Sequence, residues 1–369
     1  MKINCFMRIG LMLLIVFSCA NDKTPIKNKY KKRSPMADYF LMEGNKFLKK
    51  HDFKRALALA DSAELYAIKK DDVYFFKGRI YSELGRFSKA DQAYNYTINI
   101  NPDYIGAWNN LGNNAFRRQN FSQAVEYYKK EIIKNKTSIP FRALGRAYVE
   151  LGKTDSARIC FQHSIDINNN YASAYLNLAQ LEEDEGSLNK ALQLASRAYA
   201  LEPNNVEYQY VYSTILVQMD RGKEAIYSLR EIIKEWPWHH GAHYNLGRAL
   251  IQSGQKVEGQ QYLDESEKIR ANQAKIDHLE NTIRALPDDP YSYAALAFAL
   301  RKVGRFNDSM HSYKVALYLD PDNYDIWNNV ANLYLLQKDT IKALDTYNYI
   351  VDKNPELIDI WLNLSLIHI

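Results

Sequence analysis

Cysteine is nearly absent from this chain of 369 residues, which contains only Cys5, Cys19 and Cys160. Three cysteines so far apart exclude an internal disulfide framework and a metal site built from cysteine ligands. No apolar run reaches the ~20 residues that a membrane-spanning helix needs. Glycine and proline, at 15 and 10 residues, are too few for a low-complexity chain. The 47% of hydrophobic residues is enough for a sizeable core, in which Cys160 is expected to pack as a small residue beside Phe161.

Sequence motifs for catalysis are also missing. The chain has no glycine-rich phosphate loop, no G-x-S-x-G and no H-E-x-x-H. The sequence therefore predicts no catalytic residue, no cofactor, no metal and no small-molecule substrate, which points away from an enzyme.

Net positive charge is confined to the N-terminal part. Lys2 and Arg8 are followed by six basic residues and one acid, Asp22, in residues 20–36. After these are set aside, residues 37–369 hold 40 basic and 42 acidic residues. Because binding to nucleic acid calls for a clustered basic face, the sequence predicts no nucleic-acid partner.

Residues 1–18 have the pattern of an export signal. Lys2 and Arg8 precede the apolar run Ile9–Phe17, and the small residue Ser18 comes just before Cys19. This arrangement resembles the bacterial lipobox, which implies cleavage after residue 18 and attachment of lipid, such as palmitate, to Cys19. The alternative is an ordinary cleaved signal with an incidental cysteine.

A polar, basic stretch follows the cysteine and shows no helical apolar period. Residues 19–36 are therefore interpreted as the lipidated Cys19 with a flexible tether. Several acyl chains hold a protein on a membrane, whereas one does so only marginally. The basic residues of the tether either lie against anionic lipid head groups or form a solvated spacer.

Small residues recur through the rest of the chain with an almost constant spacing. The first series has steps of 34, 34, 33, 34, 34, 34, 50, 34 and 34 residues and comprises Gly44, Gly78, Gly112, Gly145, Ala179, Ser213, Gly247, Ala297, Ala331 and Ser365. A second series lies twelve residues further on and comprises Ala56, Ala90, Ala124, Ala157, Ala191, Ala225, Gly259, Ser309 and Ala343. Small residues at these positions allow two helices to approach closely, so the spacing predicts a row of helical hairpins.

The repeat is most complete in Tyr324–Pro355, where Trp327, Val330, Ala331, Tyr334, Ala343, Tyr347 and Pro355 stand in order. This order resembles the tetratricopeptide repeat, W-x2-L-G-x2-Y…A-x3-F…P. The resemblance covers residues 37–369. It implies an all-α fold, an α-solenoid of helix-turn-helix repeats wound as a right-handed superhelix with the first helices on its concave face.

One step of 50 residues interrupts the spacing. It predicts seven repeats in 37–289, with either one extended helix at about 257–286 or two helices broken near Asn272, and further repeats in 290–369. The last repeat stops inside its first helix. We therefore expect either that the protein continues or that Ser365–Ile369 is a run-on artefact of an incomplete gene.

His239 and His243 are the best metal candidates because four residues separate them, which could place both on one helix face. They straddle a repeat junction and lack an evident third ligand. The alternative is a turn between repeats with solvent-facing histidines.

Polar residues recur on the predicted concave face. Asn110, Asn177, Asn245 and Asn329 lie two residues before the first small position, and Arg79, Asn113, Arg146 and Arg248 lie one residue after it. In tetratricopeptide proteins that grip extended peptides, asparagines at these sites bond the ligand backbone, and arginine or lysine holds carboxylates. The resemblance therefore implies a peptide-binding role for these eight residues. The alternative is that they bond neighbouring helices or water.

The leading hypothesis is a membrane-anchored adaptor in the bacterial cell envelope, lipid-anchored to the outer membrane. It binds partner proteins or extended peptides through its concave groove. One alternative is the substrate-selecting arm of an enzyme whose catalytic domain lies beyond residue 369. Another is a polysaccharide-binding envelope protein, which would require exposed aromatic residues along the groove.

Overall fold

The computed structural model describes residues 34–357 and 360–361. All regular secondary structure in these residues is helical, which confirms the predicted all-α fold. The helices are α1 Pro35–Lys49, α2 Phe53–Tyr66, α3 Asp71–Glu83, α4 Phe87–Ile100, α5 Ala107–Arg117, α6 Phe121–Lys134, α7 Ser138–Glu150, α8 Thr154–Ile167, α9 Ala172–Asp184, α10 Leu188–Leu201, α11 Val206–Gln218, α12 Gly222–Glu235, α13 His240–Gln252, α14 Lys256–Ala285, α15 Pro290–Lys302, α16 Phe306–Leu319, α17 Tyr324–Leu336 and α18 Thr340–Lys353.

The predicted leader 1–18 and Cys19 lie outside the described residues, as do the tether up to residue 33 and residues 362–369. Among the helices that the structure describes, none combines the length and the apolar character needed to cross a membrane.

The helices form two compact units. One consists of residues 69–270, and the other combines the described parts of 1–68 and 271–369. Helix α14 crosses the boundary between them. The repeat blocks 37–289 and 290–369 were defined by sequence spacing alone, and they stay a prediction about sequence organisation.

In the unit 69–270, consecutive helices pair into hairpins and each odd-numbered helix contacts the next odd-numbered one, from α3 to α13. The odd-numbered helices therefore share a surface, which we call the inner face. In the other unit, α1–α2, α15–α16 and α17–α18 are hairpins, and α15 contacts α17 in the same way.

The small positions are the places where the two helices of a hairpin touch. A Cβ added to Gly78, Gly112 or Gly145 would lie 2.5 Å from a ring carbon of the second helix. The rings belong to Tyr94, Tyr128 and Phe161, sixteen residues further along the chain. In the unit 69–270 the glycines therefore make room for an aromatic ring that fills each hairpin.

Each hairpin turns at a residue with left-handed backbone, seven residues after the small position of its first helix. Glycine occupies this turn at Gly85, Gly152, Gly186, Gly254 and Gly304, whereas His51, Gln119, Asp220 and Lys338 occupy it elsewhere. Because a Cβ disfavours this conformation, the four side chains adopt it against their intrinsic preference.

Residues 256–285, at the long step, form one continuous helix, α14, about 45 Å long at 1.5 Å per residue. No break occurs at Asn272. The second part of α14 is held by Ile276, which packs with Leu296 and Leu300 of α15.

Candidate functional site

The candidate site is the inner face, where spacing predicted eight peptide-binding residues. Seven of them lie on α3, α5, α7, α9 and α13 of the unit 69–270, and Asn329 lies on α17 of the other unit. The arrangement tests which of these side chains are occupied by contacts within the protein.

Three of the asparagines have one amide group engaged within their own hairpin. Asn110 Nδ2 donates to the Gly106 carbonyl at 2.8 Å, one turn earlier in α5. Asn329 Nδ2 donates in the same way to the Asp325 carbonyl at 2.9 Å. Asn113 Oδ1 accepts from the Tyr128 hydroxyl at 2.9 Å, so it supports the ring that packs beside Gly112.

Asn245 links neighbouring inner helices. It is only 5% exposed, and its Nδ2 donates to Thr214 Oγ1 at 2.9 Å and to the Tyr210 hydroxyl at 3.4 Å, both on α11. Burial raises the pKa of Tyr210 to about 12, which keeps its hydroxyl protonated. Asn245 therefore fixes the spacing of α11 and α13.

Asn177 makes a comparable link between α7 and α9. Its Oδ1 accepts from Arg142 Nη1 at 3.3 Å, and its Nδ2 donates to Gln180 Oε1 at 3.4 Å. Arg142 was not among the predicted residues, because it lies three residues before Gly145 rather than one after it. A third positional series, three residues before each small position, would have found it.

Arg142 and Arg146 lie one turn apart on α7, each over an aromatic ring. The Arg146 guanidinium is 4.9 Å from the Phe116 ring centroid, and that of Arg142 is 5.5 Å from the Tyr171 centroid. Arg142 Nε also donates to the Tyr171 hydroxyl at 2.8 Å. Among the described residues, neither arginine has a carboxylate within salt-bridge distance. Burial, together with the neighbouring charge of Arg142, lowers the pKa of Arg146.

The inner face also carries an acid, Glu207 at the start of α11. Burial raises its pKa, and the charges of Arg146 and Arg142 act in the opposite direction. Sequence reasoning missed Glu207, since it stands six residues before Ser213. Both signs of charge are therefore present on the inner face.

The remaining two predicted arginines lie further along the inner face. Arg248 lies over the Tyr244 ring at 5.9 Å, and the charge of Arg79 acts on the buried hydroxyl of Tyr94. They do not form one cluster with Arg142 and Arg146, because each occupies a different inner helix.

The two candidate metal histidines have structural roles. His239 Nδ1 accepts the Ala242 backbone N–H at 3.0 Å and so caps α13. His243 is 6% exposed, and its Nδ1 lies 3.1 Å from the His239 carbonyl oxygen. The expectation that both face solvent is wrong, and burial lowers the pKa of His239 to about 4. In the part of the chain that the structure describes, no three His, Cys, Asp or Glu side chains come together as a metal site.

Cys160 packs as expected. Its thiol is buried, and burial raises its pKa to about 11, so it is not a reactive thiolate.

Comparison with protein families identifies the repeats. Residues 71–104, 142–206 and 312–345 match models described as tetratricopeptide repeat. Residues 184–266 match the model of anaphase-promoting complex, cyclosome, subunit 3. The repeats predicted from spacing are thereby confirmed in these segments.

Two similar proteins cover different shares of the chain. Protein O-mannosyl-transferase TMTC1 of Homo sapiens is 23% identical over 217 residues, which are 58% of this chain and 23% of that protein. The BBSome complex member BBS4 homolog of Drosophila melanogaster is 20% identical over 334 residues, or 87% of this chain and 65% of that protein. The chain thus spans less than a quarter of the transferase.

Two solved structures have a similar fold. The structure of Pseudomonas aeruginosa pilF superposes with a TM-score of 0.50 and 16% identity, and it covers 57% of this chain and 97% of that one. PilW, described as a widely conserved type IV pilus biogenesis factor, gives a TM-score of 0.50 and 16% identity over 56% of this chain and 97% of that one. At this identity the likeness concerns the fold alone.

Proposed function

Because the chain is built from tetratricopeptide repeats, we propose that it is an adaptor whose inner face binds an extended segment of a partner protein. The observation that carries this proposal is the pair Arg142 and Arg146 on α7. Each guanidinium lies over an aromatic ring and has no carboxylate partner among the described residues. A guanidinium binds a carboxylate with two parallel hydrogen bonds, so an acidic side chain of the partner fits here.

The groups around the two arginines suit an extended backbone. Asn177 and Gln180 on α9 offer amide donors and acceptors beside Arg142. Glu207 on α11 adds a negative charge. We therefore expect a partner segment in which an acidic residue, held by Arg142 and Arg146, is followed or preceded by a basic residue that faces Glu207.

We further propose that the adaptor works in the bacterial cell envelope, lipid-anchored through Cys19 to the outer membrane. The support is the leader pattern of residues 1–18 and the cysteine that follows it. The substitution Cys19→Ser is expected to abolish incorporation of labelled palmitate and to move the protein from the membrane fraction to the soluble fraction. Equal labelling of Cys160→Ser and parent is the matched control. Retained labelling in Cys19→Ser would disprove the anchor.

A second function is favoured by one observation, the similarity to an O-mannosyl-transferase over 23% of that protein's length. The repeats would then be the substrate-selecting arm of a longer enzyme. Sequencing the gene past the codon for Ile369 separates the two proposals, since an adaptor needs no catalytic domain there.

The adaptor proposal is tested by capture from detergent-solubilised membranes of the native host, followed by mass identification. The variant Arg142→Ala/Arg146→Ala is expected to lose a partner that the parent retains, with an unchanged thermal midpoint. Arg197→Ala, an exposed arginine on α10, is the matched control and should capture like the parent. Equal capture by the double variant and the parent would remove the reason for assigning the site to α7.

A further inference from the structure

The turn between α1 and α2 lies against α16, although 260 residues separate them in the chain. His51 Nδ1 and His311 Nδ1 are 3.1 Å apart, with the ring centroids 4.5 Å apart. Next to this pair, Lys314 Nζ donates to the Lys50 carbonyl at 2.6 Å. Both partners belong to the same compact unit.

An apolar contact accompanies the polar one. Phe53, the first residue of α2, is 2% exposed. Its ring lies edge-on to the rings of His311 and Tyr318, with centroids 6.0 and 6.4 Å away. The contact therefore buries a phenylalanine that stands at the start of its helix.

The backbone places the imidazole at this contact. His51 has φ +55° and occupies the left-handed turn position that five other hairpins fill with glycine. A residue with a side chain is disfavoured there. In the α1–α2 turn this side chain contacts a distant helix.

We propose that α16 is a docking surface for the first hairpin, residues 34–68, and that acid releases the hairpin when His51 and His311 are both protonated. A hydrogen bond between two Nδ1 atoms needs a donor on one ring and a lone pair on the other. Doubly protonated rings have two donors and no acceptor, and they carry two positive charges at this distance.

The charged groups around the pair act in the same direction. Lys314 lies beside His51 on α16, and burial together with Lys314 lowers the pKa of His51. The nearby acid is Asp52 in the α1–α2 turn, whose carboxylate caps α2 and pairs with Arg55. From α18, the charge of Lys342 also acts on Lys314. Two added protons would therefore enter an already cationic contact.

The sign follows from linkage. A histidine whose pKa lies below its usual value in the docked state binds a proton more readily after release, so falling pH favours release. If both histidines take up a proton, the ratio of released to docked hairpin changes by at most about a hundredfold per pH unit. Release would uncover the rings of Phe53 and Tyr318. The inference goes beyond the adaptor proposal, and none of its residues belongs to the predicted peptide-binding set.

The test uses the full chain with Cys5, Cys19 and Cys160 replaced by serine and spin labels at Lys54→Cys and Asn307→Cys, two exposed positions on α2 and α16. Pulsed dipolar spectroscopy at pH 7.5 should give a short distance. Between pH 7.5 and pH 5.0 the distance should lengthen, with a midpoint below 6.5, while far-UV circular dichroism stays constant. A distance that does not change, or is long already at pH 7.5, overturns the proposal.

Variants assign the effect to the pair. His51→Gln and His311→Gln remove the titration and should abolish the pH response, whether the hairpin then stays docked or stays released. His163→Gln changes an exposed histidine on α8 and should respond like the parent. A full response in His51→Gln or His311→Gln would contradict the proposed role of the pair.

Discussion

The ring of Tyr128 lies directly against the backbone of Gly112. A Cβ on residue 112 would stand 2.5 Å from Cε1 and 2.7 Å from Cδ1 of that ring. The Tyr128 hydroxyl donates to Asn113 Oδ1, the residue after the glycine, and burial raises the pKa of the hydroxyl. Because the ring is held at both ends, it has little freedom to move away from a larger residue.

The first prediction concerns this pair. Gly112→Leu should lower the free energy of unfolding by about 3 kcal/mol, because overpacking forces the ring or the helix to shift. Gly112→Ala should have a smaller effect of the same sign. Urea denaturation measures both, and Ser122→Ala on the exposed side of α6 is the control. An unchanged midpoint in Gly112→Leu would show that α5 and α6 do not pack in this register.

The second prediction concerns the left-handed turn positions. Gln119 has φ +61°, and Gly152 occupies the equivalent turn of the next hairpin with φ +69°. Gln119→Gly should stabilise the protein by about 0.5–1 kcal/mol and Gly152→Ala should destabilise it by about 1 kcal/mol, since a Cβ disfavours this backbone. Thermal or urea denaturation of the two variants checks the opposite signs. Two changes of the same sign would contradict the turn geometry.

The third prediction concerns the start of α5, which Gly106 begins without a capping side chain. Glu131 of α6 takes over this function: its carboxylate, 1% exposed, accepts from the backbone N–H of Gly106 at 2.8 Å and of Asn109 at 3.2 Å. Glu131→Ala should cost about 1–3 kcal/mol, because two buried donors lose their acceptor. Glu126→Ala, an exposed glutamate on the same helix, should change stability little. Loss of helix-start protection in hydrogen exchange should be confined to residues 106–109.

The fourth prediction concerns pH. Burial raises the pKa of Glu280 on α14 to about 7, with Arg305 acting in the opposite direction. An acid whose pKa is higher in the folded state contributes stability below its unfolded pKa near 4.5, and this stability is lost as pH rises through 7. Glu280→Gln should therefore raise the thermal midpoint relative to the parent at pH 8 and leave it nearly unchanged at pH 4. Glu267→Gln, an exposed site on α14, is the control. An equal effect of Glu280→Gln at both pH values would show that Glu280 does not titrate in this range.

The inner-face residues show where positional reasoning succeeded and where it stopped. Spacing placed Asn110, Asn177 and Asn245 on inner helices, because helical phase depends only on sequence distance. It did not show that Asn110 bonds its own helix while Asn245 bonds α11. Their role in binding a partner stays a prediction.

By itself, the sequence determined the all-helical hairpins, their length, and the continuous series of small residues. These depend on the local period of apolar and small side chains, which is visible in one chain read in order. The predicted helix across the long step is likewise local, since α14 needs only an unbroken helical pattern.

Only the tertiary structure decided which side chains from different repeats meet. Arg146 lies over Phe116 of the preceding hairpin, Glu131 caps α5, and His51 reaches His311. These contacts depend on rotamers and on the distances between elements far apart in sequence. A repeat spacing of 34 residues leaves both undetermined, because every repeat has the same phase and only the packing distinguishes its neighbours.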